Sequence, residues 1–304
     1  MNNVKTIQIP ASTTNLGSGF DALGLALKLY LRVEVEESGG GGPDVVLEGE
    51  GATELPAHSE NLILRVMRCV FEGEGKNLPR IRMQVFNQIP VARGLGSSAA
   101  AIVAGIGCFE ALTGNEIDSD LFFQYAFQFE NHPDNLTAAR YGGFTVSCAD
   151  DNGKISFFRS TLSPQIKILL VVPDFQLQTQ KARSVIPKKV SLQDAVYNIQ
   201  RSALTVAALL SNDFRFLRQS LKDRIHQPYR APLIPGFEEI LSLQEGKIEG
   251  LLGICLSGAG PSILAFAESN LGGIYRQIDA VFQKHGIRSR VFELESDNCG
   301  RTIA

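Results

Sequence analysis

Apolar and polar residues alternate strongly over Leu29–Glu36, with Leu31, Val33 and Val35 on one face, and the same period runs through Lys5–Ile9 and Ile81–Phe86. A period of two marks a half-buried strand, because successive side chains point to opposite faces of a sheet. Further strands are predicted at Gly142–Cys148, Ile166–Val172, Leu251–Leu256, Ile263–Ala267 and Ser289–Glu293. Helical spacing predicts helices over Leu62–Phe71, Ser119–Glu130, Leu192–Leu221, Phe237–Leu243 and Leu271–Lys284. Ser97–Leu112 is alanine-rich and apolar throughout, so a buried helix is expected there. Gly39–Gly42 reads as a flexible hairpin or loop tip. Strands and helices mix without a regular βαβ repeat, which points to α+β architecture rather than a doubly wound parallel sheet. Composition changes after Pro173, and a boundary within 155–165 divides the chain into expected domains 1–160 and 161–304.

Composition narrows the class. The 304 residues are 44% hydrophobic and 20% charged, the balance of a globular protein with ample core material. A net charge of −3 supplies no global positive field for nucleic acid or an anionic membrane, so a small anionic substrate needs a local site. The first ten residues hold one lysine and no signal-like apolar run, and no apolar stretch reaches bilayer length. Cys69, Cys108, Cys148, Cys255 and Cys299 are odd in number and scattered, four of them in apolar surroundings, which fits reduced buried thiols. The cytoplasm is the expected compartment.

The strongest chemical signal is Pro90-Val-Ala-Arg-Gly-Leu-Gly-Ser-Ser98, between a strand and the long apolar helix. Glycines let backbone approach an anion, the amides of a first helical turn point outward, and the helix dipole favours negative charge there. Ser97 and Ser98 add hydroxyls, one to cap the helix and one to reach a magnesium ion. No Lys-Ser/Thr pair follows the glycines, so this is not a Walker A loop. Alone, such a segment is as readily a plain strand–turn–helix junction. Two further glycine-rich patches, Pro10–Asp21 and Leu256–Ser262, change the picture. Three widely spaced turns of this kind are better explained by one shared site that backbone must approach closely.

In this order the three patches resemble the motifs of the GHMP kinase superfamily. Pro10–Asp21, the Asn131-His-Pro-Asp-Asn135 segment with Tyr141-Gly-Gly, and Leu233-Ile-Pro-Gly236 resemble its homoserine kinase branch. The resemblance runs from about residue 5 to about residue 268. It implies an N-terminal domain like ribosomal protein S5 domain 2 and a C-terminal ferredoxin-like domain, with the site between them. It also implies ATP and Mg²⁺ as cofactors, homoserine as acceptor, a place in threonine biosynthesis, and frequent homodimers.

Residue by residue, the resemblance puts ATP over Gly94, Leu95, Gly96, Ser97 and Ser98, with Asn61, Pro90 and Arg93 on the nucleotide side. Ser98 and Glu130 match the magnesium ligands. Asn15, Asp21, His132, Thr179, Arg183, Arg230 and Gly260 match the acceptor site, the two arginines suiting a carboxylate because a guanidinium fork meets it bidentately. Asn15, Asn135 and Arg183 stand as the catalytic set. Asn135 occupies the segment where other members carry an aspartate base, and Thr13 and Thr14 replace a lysine. Neither residue type takes up a proton near neutrality, so the sequence fits catalysis by positioning, Mg²⁺ and backbone dipoles, with the γ-phosphate accepting the proton. Asp134 is assigned a structural role, as are His58, His226 and His285. A shikimate-type member of the superfamily, a non-catalytic nucleotide-binding protein and a nucleic-acid binder are the competing readings. The intact Ser98 and Glu130 oppose the second, and the acidic balance opposes the third.

Overall fold

The computed structural model describes residues 4–39 and 44–304. Gly40–Gly42 of the expected glycine loop tip lie outside the described residues. In chain order the elements are β1 (Lys5–Thr14), β2 (Leu23–Glu37), β3 (Asp44–Gly49), α1 (Leu62–Gly73), β4 (Ile81–Asn87), α2 (Ser97–Thr113), α3 (Ser119–Ala126), α4 (Pro133–Tyr141), β5 (Phe144–Ala149), β6 (Ile155–Ser160) and β7 (Lys167–Pro173). They continue with α5 (Thr179–Ser184), α6 (Leu192–Ser211), α7 (Leu217–Ser220), α8 (Gln227–Arg230), α9 (Phe237–Ser242), β8 (Leu251–Leu256), β9 (Ile263–Ala267), α10 (Leu271–Lys284), β10 (Ser289–Leu294) and β11 (Thr302–Ile303).

Among the described residues the strands form two sheets. The larger runs β11-β1-β2-β4-β3, with β5 and β6 branching from β2. All of its pairings are antiparallel except β3 with β4. The register of β1 against β2 shifts between Pro10 and Ala11, where proline cannot donate to the ladder. The smaller sheet is antiparallel, in the order β10-β7-β9-β8.

Alternation explains how the sheets pack. Along β7, Leu169 and Val171 face one hydrophobic cluster with Phe237, Ile240, Ile274 and Phe282 of α9 and α10. Ile168, Leu170 and Val172 face the other, which continues through Leu217 and Leu221 into the core of the larger sheet. Both faces of β7 are thus covered, which is why its sequence is a continuous apolar run. Helix α2 is buried nearly all round, from Ala99 to Glu110, between α1 and β1.

Several expectations are corrected. The 119–130 helix ends at Ala126, and α6 stops at Ser211 because Asn212 takes a left-handed conformation (φ 58°). The cysteines are free, but only Cys108 and Cys255 are buried, while Cys69 is half-buried and Cys148 and Cys299 are exposed. Among the described residues no helix is long and apolar enough to cross a membrane.

Candidate active site

Helix α2 begins without a serine cap, contrary to the sequence expectation. Its N-cap is Gly96, left-handed at φ 68°, and no side chain accepts from the first turn. A helix leaves its first amides without internal acceptors. Here those of Ser97, Ser98 and Ala99 open on a cavity of about 630 Å³ that residues 94–99 line. The glycines are sterically required. A Cβ on Gly96 would lie 2.0 Å from Ser12 Oγ, and one on Gly94 (φ 73°) would lie 2.2 Å from the Ser257 carbonyl oxygen.

Those distances reveal how the three glycine-rich patches interlock. The Ser12 amide donates to the Leu95 carbonyl at 3.1 Å, and Gly258 N–H donates to the Thr14 carbonyl at 3.1 Å. Asn15 Nδ2 donates to the Gly258 carbonyl at 2.9 Å while its Oδ1 accepts from the Asp21 amide at 3.0 Å. Asn15, Leu16 and Asp21 all adopt positive φ, a strained backbone that these cross-links hold in place. Asn135 joins the network by accepting from Ser12 Oγ at 2.9 Å and donating to Thr14 Oγ1 at 3.2 Å. This is why the polar stretch Ser12–Thr14 is fully buried.

The cavity is lined by every residue assigned from the sequence except Gly260. Gly260 lies behind the wall, where a Cβ would meet Ile234 at 2.9 Å and Leu256 at 3.0 Å. It packs the turn rather than facing the lumen. Asn61 caps α1, accepting from Ile63 N–H at 3.0 Å and donating to the Pro56 carbonyl at 2.9 Å, and its amide shapes that part of the cavity wall. Arg93 is tied through Nε to the Pro173 carbonyl at 3.1 Å. Leu47, Leu55 and Val85, which the sequence reading missed, supply an apolar wall near Asn61.

A cluster of ionisable groups lines the same cavity. Arg183 meets Asp21 fork to fork, one arm at 3.1 Å. Arg230 is 2% exposed, and burial pulls its guanidinium down to about 10, so it stays charged at neutral pH. Its Nη1 donates to the Gly258 carbonyl at 3.1 Å and its Nε to the Ala182 carbonyl at 3.1 Å. His132 Nδ1 donates to Glu130 Oε1 at 2.6 Å, a bond that pushes the imidazole above its usual value against the effect of burial. Asp134, read from sequence as structural, is 2% exposed yet lines the cavity. Burial, and then the nearby Asp21 charge, push its carboxyl up to about 6.

The residues fit a magnesium ion of the kind held by few protein oxygens. Among the described residues no three His, Cys, Asp or Glu side chains form a metal cage. Exposed Ser98 and half-buried Glu130 line the same cavity, and Glu130 Oε2 has no protein partner among the described residues. Mg²⁺ bound to phosphates typically takes one or two such oxygens.

The likeness to known proteins is broad. The model of the GHMP kinases N terminal domain matches residues 61–143, and that of the GHMP kinases C terminal matches residues 205–284. The chain is 42% identical to a homoserine kinase of Persephonella marina over 99% of this chain and 98% of that one. It is 42% identical to another from Aquifex aeolicus, with 97% of each chain covered. The crystal structure of homoserine kinase from Cytophaga hutchinsonii superimposes with a TM-score of 0.86 at 27% identity, covering 100% of this chain and 98% of that one.

Proposed function

The chain belongs to the GHMP kinases and, within them, to the homoserine kinase family, and on that premise we propose that it transfers the γ-phosphate of ATP to the side-chain hydroxyl of L-homoserine. The product is O-phospho-L-homoserine, an intermediate of threonine biosynthesis. The observation that supports this reading is the placement of the open α2 amides beside the Asp21, Arg183 and Arg230 cluster.

The amides of residues 94–99 take the triphosphate, and the apolar wall near Asn61 takes the base. Arg183 and Arg230 take the acceptor carboxylate, with Asp21 and Asn15 on the ammonium side. Thr179 and His132 border the same end. Ser98 and Glu130 would hold Mg²⁺, which would neutralise charge building on the phosphate oxygens. The acceptor oxygen forms a bond to the γ-phosphorus while the bond from that phosphorus to the β–γ bridging oxygen breaks, and ADP leaves. Asn135, fixed between Ser12 and Thr14, orients the glycine loop and takes no proton. The hydroxyl proton passes to a phosphoryl oxygen. A second reading gives that proton to Asp134, favoured by its burial and by a carboxyl poised near 6.

The test is ADP release with ATP and Mg²⁺ against L-homoserine, shikimate, mevalonate and galactose. Turnover of L-homoserine at least about a hundredfold above the others is expected from a site built for a zwitterion. Equal or better turnover of shikimate would transfer the assignment to the shikimate-type alternative. Arg183→Ala and Arg230→Ala should each raise the KM for L-homoserine by tenfold or so, and unchanged values in both would remove the acceptor-site assignment. ATP and homoserine are metabolites of the cytoplasm, which is the compartment proposed. The homodimer implied by the family is checked by light scattering, with a mass near twice 33.0 kDa in its favour.

A further inference from the structure

His226 does not itself line the cavity, and the sequence assigns it only a structural role. Its surroundings are more specific than packing requires. The ring is fully buried. Nε2 lies 2.7 Å from the Gly17 carbonyl oxygen, and Nδ1 lies 3.0 Å from Arg230 Nη1. A carbonyl oxygen only accepts, so Nε2 carries the proton. A guanidinium only donates, so Nδ1 is a bare lone pair. One tautomer of the uncharged imidazole satisfies both bonds, and an imidazolium satisfies only one.

The rest of the environment keeps the ring in that form. Asp223, buried beside it, spends its oxygens on the amides of Ile225, His226 and Gln227 and on Asn198 Nδ2, so it holds the start of α8 rather than a ring proton. Asp223 Oδ2 is 3.7 Å from Nε2, outside hydrogen-bond range. The ring stacks on Phe20 with centroids 5.2 Å apart at 23°, and the guanidinium carbons of Arg183 and Arg230 lie 5.2 and 5.5 Å from the same Phe20 ring. The ionisable groups around His226 are therefore Asp223, Arg230, Asp21, Arg183 and the buried Cys255 thiol behind Gly17. Burial lowers its affinity for a proton.

We propose that His226 is a positioning residue for acceptor binding: anchored to the first glycine patch through Gly17, it fixes the Arg230 guanidinium by accepting from Nη1, and so presents that cation to the acceptor carboxylate. Among the described residues the other hydrogen-bond acceptors of Arg230 are the Gly258 and Ala182 carbonyls, and Phe20 lies against its guanidinium. The imidazole thus joins Gly17 of the first patch to an arginine bonded to Gly258 of the third. The inference rests on the homoserine-kinase reading above.

Two isosteric variants separate the roles of the two nitrogens. His226→Asn keeps an oxygen near Nδ1 to accept from Arg230 and loses the Gly17 bond. His226→Gln keeps a donor near Nε2 for Gly17 and loses the acceptor for Arg230. Steady-state kinetics should show the KM for L-homoserine raised about tenfold in His226→Gln and less than about threefold in His226→Asn. In both variants the KM for ATP should stay within about twofold. Equal losses in the two, or a KM for ATP that rises in step with that for homoserine, would overturn the proposal and leave His226 as core packing. Failure of the unmodified enzyme to turn over L-homoserine would instead sink the underlying functional reading.

Discussion

Ser257 Oγ donates to the carbonyl oxygen of Gly94 at 2.7 Å across 163 residues of sequence, and accepts from Thr13 Oγ1 at 2.8 Å. This hydroxyl joins all three glycine-rich patches and fixes the loop that opens α2. Ser257→Ala leaves the Gly94 carbonyl and the Thr13 hydroxyl without that partner. A lost bond of about 1 kcal/mol corresponds to a KM for ATP raised roughly fivefold, read by steady-state kinetics, with the KM for the acceptor changed less.

Gly96 and Gly114 flank the same helix, both left-handed, but only one has a wall against it. A methyl group on Gly96 would sit 2.0 Å from Ser12 Oγ, whereas beside Gly114 there is open space. Gly96→Ala should lower kcat/KM by about a hundredfold or more, because the shifted loop also costs Asn135 its contact with Ser12. Gly114→Ala should cost only the backbone strain of about 1–2 kcal/mol in thermal stability and leave activity alone. Comparable activity losses in both would contradict the packing argument.

Asp134 predicts a pH dependence with a definite sign. Burial lifts its folded carboxyl to about 6, above the ordinary aspartate value of 3.8. The folded state therefore binds this proton more tightly, so the favourable contribution is complete below about 3.8 and is lost as pH rises through about 6. Asp134→Asn should accordingly raise the melting temperature relative to the parent at pH 8, by an amount that shrinks as the pH falls through about 6 and vanishes only below about 3.8. The same variant decides between the two proton routes. If Asp134 accepts the proton, the acid limb of kcat near pH 6 disappears with a loss of about a hundredfold or more in kcat. A retained limb and a nearly unchanged kcat would favour transfer to the phosphoryl oxygen.

Glu130 is the test of the metal assignment. Removing free Mg²⁺ with EDTA should abolish turnover. Glu130→Gln keeps a partner for His132 but halves the protein's ligand set, so the Mg²⁺ concentration for half-maximal rate should rise tenfold or so, measured by titration at fixed ATP. A Mg²⁺ dependence identical to the parent would remove Glu130 from the metal site.

Much of the fold was legible because burial writes a period into sequence. The edges of β8, β9 and α10 fall where the apolar pattern begins and ends. Other elements escaped for physical reasons. Strand β3 exposes four of its six residues, β6 three of six, and β11 both of its two, so none leaves a strong alternation. Helix α4 starts at a proline and buries Asp134 and Thr137 along with Leu136, which hides its core face among polar letters. Strand β1 runs five residues beyond its alternating part because the Ser12–Thr14 hydroxyls are satisfied by Asn135 and Ser257, distant partners that no local window contains.

The same limit applied to the site. The glycine turns and arginines were visible as residue types, but Asp134 gains its character from burial and from Asp21, which the sequence separates from it by more than a hundred positions. The Asp21–Arg183 fork and the Gly17–His226–Arg230 relay are likewise products of the fold. Gly260 sits in a turn packed behind the cavity, a placement its motif alone does not reveal.

Strand β7 works as a party wall. Its alternate residues belong to two different apolar clusters, one of which is continuous with the interior of the larger sheet. Swinging the halves apart like the covers of a book would expose Ile168, Leu170 and Val172 to water, at roughly 1.5–3 kcal/mol for each large side chain. Traffic of nucleotide and acceptor therefore belongs to the short loops and helices at the rim, and heat should melt the whole molecule in a single calorimetric transition.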